Sequence, residues 1–251
     1  MSGHSKWSSI KHKKALTDAK KGQQFTKVAR EISIAAREGG GNPEGNYRLR
    51  LAIEKARDVN MPQDNIKRAI MRGTGELGGA EMVELRFEGY GPHGVAVLVE
   101  TVTDNRNRTS GDIRNLFSRA GGNLGTTGSV GWMFTRQGQI VVDADGHDPD
   151  EVGLDAIELG AADARVDGKT VEVVTDPAKL ETVQNALRAK GYKIESAEVT
   201  MNASQTISLN ETSAPPVLRL LDQLEDHDDV QAVYSNIDVP ADVMERISER
   251  V

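Results

Sequence analysis

The apolar residues of this chain change their spacing once, between Gly73 and Gly79, and that change limits what it can fold into. Before it, they recur every three or four residues, as on one face of a helix; after it, they alternate or cluster in short runs, as in strands. Phe25, Val28, Ala29, Ile32 and Ala36 predict a helix from Gln23 that stops at Gly39-Gly40-Gly41. A second helix follows Asn46, buries Leu49, Ala52, Ile53 and Ala56, and breaks at Met61-Pro62. A third starts near Asp64, read as its cap, carries Ile66, Ala69 and Ile70, and ends at Gly73. Three helices with short connections make a small bundle.

Val83, Leu85 and Phe87 alternate with charged residues as a half-buried strand, and Gly94 to Val102 is apolar on both faces, as a central strand is. A helix with Ile113, Leu116, Phe117 and Ala120 follows, then an alternating Val130, Trp132 and Phe134, read as a further strand. Residues 138–200 show the order βαββαβ, with a tight Asp167-Gly168 turn and a helix opened by Asp176-Pro177. A strand near Thr206–Asn210, a helix with Val217, Leu221 and Leu224, and a strand from Val230 to Ile237 close the chain. The last βαβ is too small to fold alone, and 80–134 is equally incomplete. The expected class is therefore α+β. A three-helix domain (1–79) precedes two ferredoxin-like α/β domains, with 135–204 inserted into a discontinuous partner made of 80–134 and 205–251.

Charge divides along the same boundary. Residues 1–75 hold 16 Lys+Arg against 7 Asp+Glu, a net of +9, while the remainder holds 15 against 31, a net of −16. The overall −7 hides a basic module, and a basic module beside acidic ones points to a polyanion partner for that module alone. The chain has no cysteine, which excludes disulfides, thiolate nucleophiles and cysteine-ligated metals. The N-terminus lacks the apolar core of a signal peptide, and no apolar run is long enough to span a bilayer, so a cytoplasmic monomer with no membrane partner is expected.

Several long stretches resemble the YebC family: Gly3-His4-Ser5-Lys6-Trp7, Ile10-Lys11-His12-Lys13-Lys14, Ala35-Ala36-Arg37-Glu38-Gly39-Gly40, Asn60-Met61-Pro62-Gln63-Asp64-Asn65-Ile66, Thr103-Asp104-Asn105-Arg106-Asn107-Arg108-Thr109 and Val233-Tyr234-Ser235-Asn236. The likeness runs nearly end to end. It implies an N-terminal helical domain with two α/β domains, one inserted in the other, and a regulator of gene expression. Two roles follow from it. One is a DNA-binding transcriptional regulator. The other is a ribosome-associated translation factor that binds ribosomal RNA or tRNA and relieves stalling at difficult sequences such as proline runs. The sequence departs from the family pattern at His93, where glycine is usual in the Gly-Pro-x-Gly loop.

The residues themselves nominate a nucleic-acid surface. Lys6, Lys11, Lys13, Lys14, Lys20 and Lys21, with His12, form a basic arm whose ammonium groups can displace counterions from phosphates. Trp7 sits among them, able either to stack on an unpaired base or to pack on the bundle. Lys27, Arg30 and Arg37 share one side of the first helix, and Arg48 and Arg50 sit just inside the second. Each such face can equally be an ordinary solvated one. Arg106 and Arg108 lie where Thr109 or Ser110 can cap a helix, so they either make a phosphate site or pair with nearby acids. The acids Asp222, Glu225, Asp226, Asp228 and Asp229 read mostly as a solvated face, which could also contact basic protein or keep the α/β domains off nucleic acid. Gly121 to Gly128 lacks the Lys and Ser/Thr of a phosphate loop and reads as backbone turning. Asp143 to Asp150 lacks the glycine and glutamate spacing of a calcium loop. No metal, cofactor or catalytic constellation is expected, and none for an enzyme.

Overall fold

A computed structural model describes residues 18–248, which fold as two compact units. Among the described residues, one comprises 18–133 together with 203–248; the other is Phe134–Asn202.

The first unit opens with helices α1 (Asp18–Gly39), α2 (Tyr47–Asp58) and α3 (Gln63–Gly73). Val28, Ile32, Ala35 and Ala36 of α1 meet Leu49, Ala52, Ile53 and Ala56 of α2 and Ile66 and Ala69 of α3 in one core. Two small residues set the fit. Gly73 lies so close to α1 that a β-carbon there would stand 2.2 Å from the Ser33 carbonyl oxygen. Ser33 is buried, and its hydroxyl lies 2.9 Å from the Ala29 oxygen and 2.8 Å from that of Ala69, tying α1 to α3. Asn46 joins α1 to α2. Its side-chain oxygen accepts from Leu49 N at 3.0 Å as the N-cap of α2, while its amide donates to the Ala35 and Gly40 oxygens at 2.7 and 2.9 Å. Asn46→Ala removes the cap and both amide bonds that tie α2 back to the end of α1, so a loss of about 2 kcal/mol is expected in urea unfolding, with a loss under about 0.5 refuting the linkage. The expected cap at Asp64 is displaced: Pro62 holds the N-cap position of α3, without a side-chain bond, and Asp64 lies in the first turn.

The same unit holds a four-stranded sheet in the order β3-β1-β2-β9, built from β1 (Val83–Tyr90), β2 (Ala96–Thr103), β3 (Asn123–Leu124) and β9 (Val230–Ser235). Helices α4 (Arg106–Arg119) and α7 (Ala214–Glu225) supply Ile113, Phe117, Val217, Leu220, Leu221 and Leu224 to its core, beside Val97, Val99 and Val233. The strand expected from Val230 to Ile237 splits at Asn236. This buried side chain accepts from Ala96 N at 2.8 Å, and β10 (Ile237–Asp238) then pairs in parallel with β8 (Ile207–Ser208) as a separate two-stranded sheet. That is why the strand expected near Thr206–Asn210 is so short. Helix α8 (Ala241–Ser248) adds Val243, Met244 and Ile247 to the core. His93 takes the left-handed conformation, φ 60° and ψ 18°, between β1 and β2, which accounts for the usual glycine there.

The second unit runs β4 (Phe134–Asp143), α5 (Pro149–Glu158), β5 (Asp163–Asp167), β6 (Thr170–Thr175), α6 (Leu180–Ala189) and β7 (Lys193–Ala203), with sheet order β5-β6-β4-β7. This is the βαββαβ arrangement read from the sequence. Asp148 caps α5 at Asp150 N, and a 3-10 turn at Pro177–Lys179 precedes α6. Buried Tyr192 donates its hydroxyl to Asp155, which with burial pushes the phenol up to about 12. The class is α+β throughout: three helices, then sheets with helices packed on them.

Candidate nucleic-acid interface

Helix α1 is buried on two sides. Five consecutive residues, Ile32 to Ala36, are inaccessible, which a helix with one apolar stripe cannot produce. One side meets α2 and α3, and the other packs on β2 and β9. Lys27 and Arg30 of α1 lie along the second side. Lys27 donates to the Glu225 carbonyl and Gln23 to that of Asp226, at the C-terminal end of α7, where free carbonyls and the helix dipole favour positive charge. Burial pushes the Lys27 ammonium down, against the pull of Glu225, Asp226 and Asp228. Arg30 donates to the Asp228 carbonyl and pairs with Asp229 at 2.9 Å.

Asp229 is the centre of this contact. Its side chain is 3% exposed and takes Arg30 at 2.9 Å, Arg108 at 2.9 Å and the Thr109 hydroxyl at 2.6 Å. Burial pushes its carboxyl up, but Thr109, Arg108 and Arg30 together outweigh that and hold it below the ordinary range. The polar cleft around it, about 510 Å³, is lined by Asp104, Asp112, Asp226, Asp228 and Asp229 against only Arg30 and Arg108. Five carboxylates facing two guanidiniums repel a phosphate.

The expected binding residues are therefore dispersed. Lys6, Trp7, Lys11, His12, Lys13 and Lys14 lie outside the described residues, as does the side chain of Lys20; Lys21 is exposed on α1. Lys27 and Arg30 are committed to the α/β part. Arg37 donates to the Met82 carbonyl and pairs with Glu81 at 3.2 Å, and Arg48 bridges Glu38 and Glu84. Arg50 donates to the Pro43 and Glu44 carbonyls at 2.5 and 2.8 Å and lies over the Tyr47 ring. Arg108 turns back to Asp104 and Asp229. Asn105, not Thr109 or Ser110, caps α4, accepting from Arg108 N at 3.1 Å, because Thr109 is drawn inward to Asp229. Arg106 alone of this loop pair is exposed with no side-chain partner among the described residues.

A cationic face that was not nominated from the sequence lies on α3. Ile66 and Ala69 are buried, so Lys67, Arg68, Met71 and Arg72 all point outward, and the three cations have no ion pair or hydrogen bond among the described residues. The signal was present: the spacing of Ile66, Ala69 and Ile70 fixes these positions as the outer face.

Two family models match the chain. One, described as the TACO1/YebC protein N-terminal domain, spans residues 5–76; the other, the TACO1/YebC second and third domain, spans 82–237. The chain belongs to the YebC family. Relatives from Moorella thermoacetica and Dictyoglomus turgidum are 54% and 51% identical over nearly the full length of both chains, and both carry the name probable transcriptional regulatory protein. The crystal structure of a conserved hypothetical protein from Aquifex aeolicus is 45% identical, with a TM-score of 0.82 over 89% of this chain and 92% of that one.

In this YebC-family chain a second feature stands apart from the charges. Buried Glu88 of β1 accepts from the backbone N–H groups of Gly128, Val130 and Gly131 at 2.9, 2.8 and 2.6 Å. Burial pushes its carboxyl up, yet those three donors, with Arg86, hold it below the ordinary range. The grip bends the chain into a 3-10 turn at Gly131–Met133, so the strand expected across Val130, Trp132 and Phe134 starts only at Phe134. Val130 and Phe134 point inward, and Trp132 is turned out to 69% exposure. Gly121 and Gly128 take φ of 78° and 90°, in keeping with the backbone-turning role read for this loop. Among the described residues no cluster of His, Asp or Glu has the geometry of a metal site, and no helix is long and apolar enough to cross a membrane.

Proposed function

We propose that this protein is a non-enzymatic, nucleic-acid-binding regulator of gene expression whose grip on phosphates comes from the lysines of residues 6–14 and the outer face of α3. The observation that carries this reading is the sorting of the cations. Lys27 and Arg30 of α1 are held against carbonyls and Asp229 within the fold, while Lys67, Arg68 and Arg72 stay solvated on the outer side of α3 in the same basic module. Solvated cations in a cluster are what counterion release from a polyanion requires. The relatives' printed name, transcriptional regulatory protein, agrees with a role in gene expression.

A second reading, a ribosome-associated translation factor that binds ribosomal RNA or tRNA, has its own support. The cationic face is short and shares one chain with strongly acidic α/β parts, so a long duplex would be repelled beyond it. A short run of RNA phosphates beside basic protein suits both signs of charge. Reversing Lys11, Lys13 and Lys14 to Glu is expected to weaken binding to every nucleic acid tested and to flatten its salt dependence; unchanged affinity would remove the arm from the interface. Sedimentation with polysomes, with and without RNase, separates the readings. Co-migration lost on RNase treatment supports translation, and absence from polysomes with retained promoter-DNA binding supports transcription.

A further inference from the structure

We propose that helix α5 of the second unit is a docking face for a basic, amphipathic helix of a partner protein, which packs along the stripe of Leu154 and Ile157. The inference goes beyond the nucleic-acid reading above: it concerns the other unit of the fold and the opposite sign of charge.

Three observations carry it. First, α5 exposes apolar side chains that its own unit does not use. Val152, Gly153 and Ala156 are buried, and a β-carbon on Gly153 would lie 3.7 Å from that of Ala164 on β5. Leu154 is nonetheless 69% and Ile157 46% exposed. The neighbouring helix α6 has an ordinary outer side, where the exposed residues are Thr182, Asn185, Arg188 and Ala189. Second, acids flank the apolar stripe where they select a helical partner. Asp150, Leu154 and Ile157 follow the four-then-three spacing of a coiled-coil seam. Glu151 and Glu158 each come one residue after a seam position, from which side chains reach across to a partner helix. All three acids are exposed and have no ion pair among the described residues. Third, Glu158 opposes its own helix. It ends α5, where the helix dipole disfavours negative charge, and that last turn holds no basic residue. Helix stability does not account for a glutamate there, whereas a cation across the seam does.

The charges then choose the occupant. Residues 134–202 hold 14 Asp+Glu against 7 Lys+Arg, so nucleic acid and anionic lipid are repelled. A second copy of the chain would add another set of the same acids around one apolar stripe. A leucine stripe flanked by lysine or arginine satisfies both the apolar pair and the acids.

The test uses the full chain and a synthetic peptide of about two heptads, with leucine at the seam positions and lysine elsewhere, beside a version with glutamate in place of lysine. The wild-type chain is expected to bind the lysine peptide and not the glutamate one. Leu154→Ser with Ile157→Ser is expected to weaken that binding by about 10-fold or more. Glu151→Lys with Glu158→Lys should lose the lysine peptide and gain the glutamate one. Glu195→Lys with Glu198→Lys, at two exposed acids of β7, should change lysine-peptide affinity by less than about 3-fold. Thermal melts confirm that these surface variants fold. The docking face is overturned if the wild-type chain does not bind the lysine peptide, or if the serine variant binds it as tightly as wild type. It is equally overturned if reversal on β7 costs as much as reversal on α5, since diffuse acidity then holds the peptide. Self-association of the wild-type chain that the serine variant abolishes would make the occupant a second copy and remove the basic partner.

Discussion

Replacing Asp229 by alanine is expected to cost about 3 kcal/mol or more of folding stability, because it strands two arginines that were brought together on one carboxylate. Arg30 comes from α1, Arg108 from the first turn of α4, and the Thr109 hydroxyl completes the set. Removing one partner of a desolvated pair leaves the other charge uncompensated, and here one removal affects three groups. Arg108→Ala should lose less, since Arg108 is half exposed and Arg30 remains, and Arg106→Ala should lose almost nothing. Urea unfolding of the three variants measures the ranking; an Asp229→Ala loss below 1 kcal/mol would mean that the cluster is a surface pairing of little consequence. Its pH dependence has a definite sign. The folded-state carboxyls of Asp229 and Glu88 are both held below their ordinary values. Their contribution is complete above the unfolded values, roughly 4, and is lost as pH falls through the lower folded ones. Stability should therefore hold from neutrality to about pH 5 and fall below 4, and Asp229→Ala should show a shallower acid limb.

The sequence shows most of the secondary structure because the apolar period is a strong signal, and it shows the helical module because glycines and Met61-Pro62 punctuate it. It hides which cations are free. Lys27, Arg30 and Arg37 fall on one side of a helix, and charged residues on a helix face look alike whether water or an acidic neighbour lies beyond them. The clue was long-range and complementary: a basic stripe at 27–37, acids at 222–229, and between the basic residues a run, Ile32-Ser33-Ile34-Ala35-Ala36, too wide for a helix buried on one side. Separations near 200 residues carry no local pattern. Trp132 fails for another reason. Alternation predicts a strand only if the backbone has no better partner, and Glu88, over 40 residues earlier, takes the N–H groups of Val130 and Gly131. The caps misread at Asp64 and Thr109 were displaced by adjacent candidates, Pro62 and Asn105, the second because Thr109 has a buried role.

The sorting of the cations leads to the other large effect. Reversing Lys67, Arg68 and Arg72 together to Glu is expected to weaken nucleic-acid binding by about 100-fold or more at 0.1 M salt, and to lower the slope of log affinity against log salt by about 2 to 3. Three phosphate contacts account for a change of that size, and it should appear across all sequences, since these contacts carry no base information. Stability should barely move, because none of the three side chains has a partner to lose among the described residues. Arg30→Glu gives the opposite pattern. It sets a carboxylate against Asp229 and should destabilise the fold, yet the molecules that remain folded should bind with wild-type affinity. Equilibrium binding titrated over salt, corrected for folded fraction, distinguishes the two. If the α3 variant keeps wild-type affinity and slope while the Lys11, Lys13 and Lys14 variant loses both, the interface is the arm alone. If Arg30→Glu instead lowers the affinity of folded molecules, the contact between α1 and the acidic end of α7 must open when nucleic acid binds, and the cations now sequestered there belong to the interface after all.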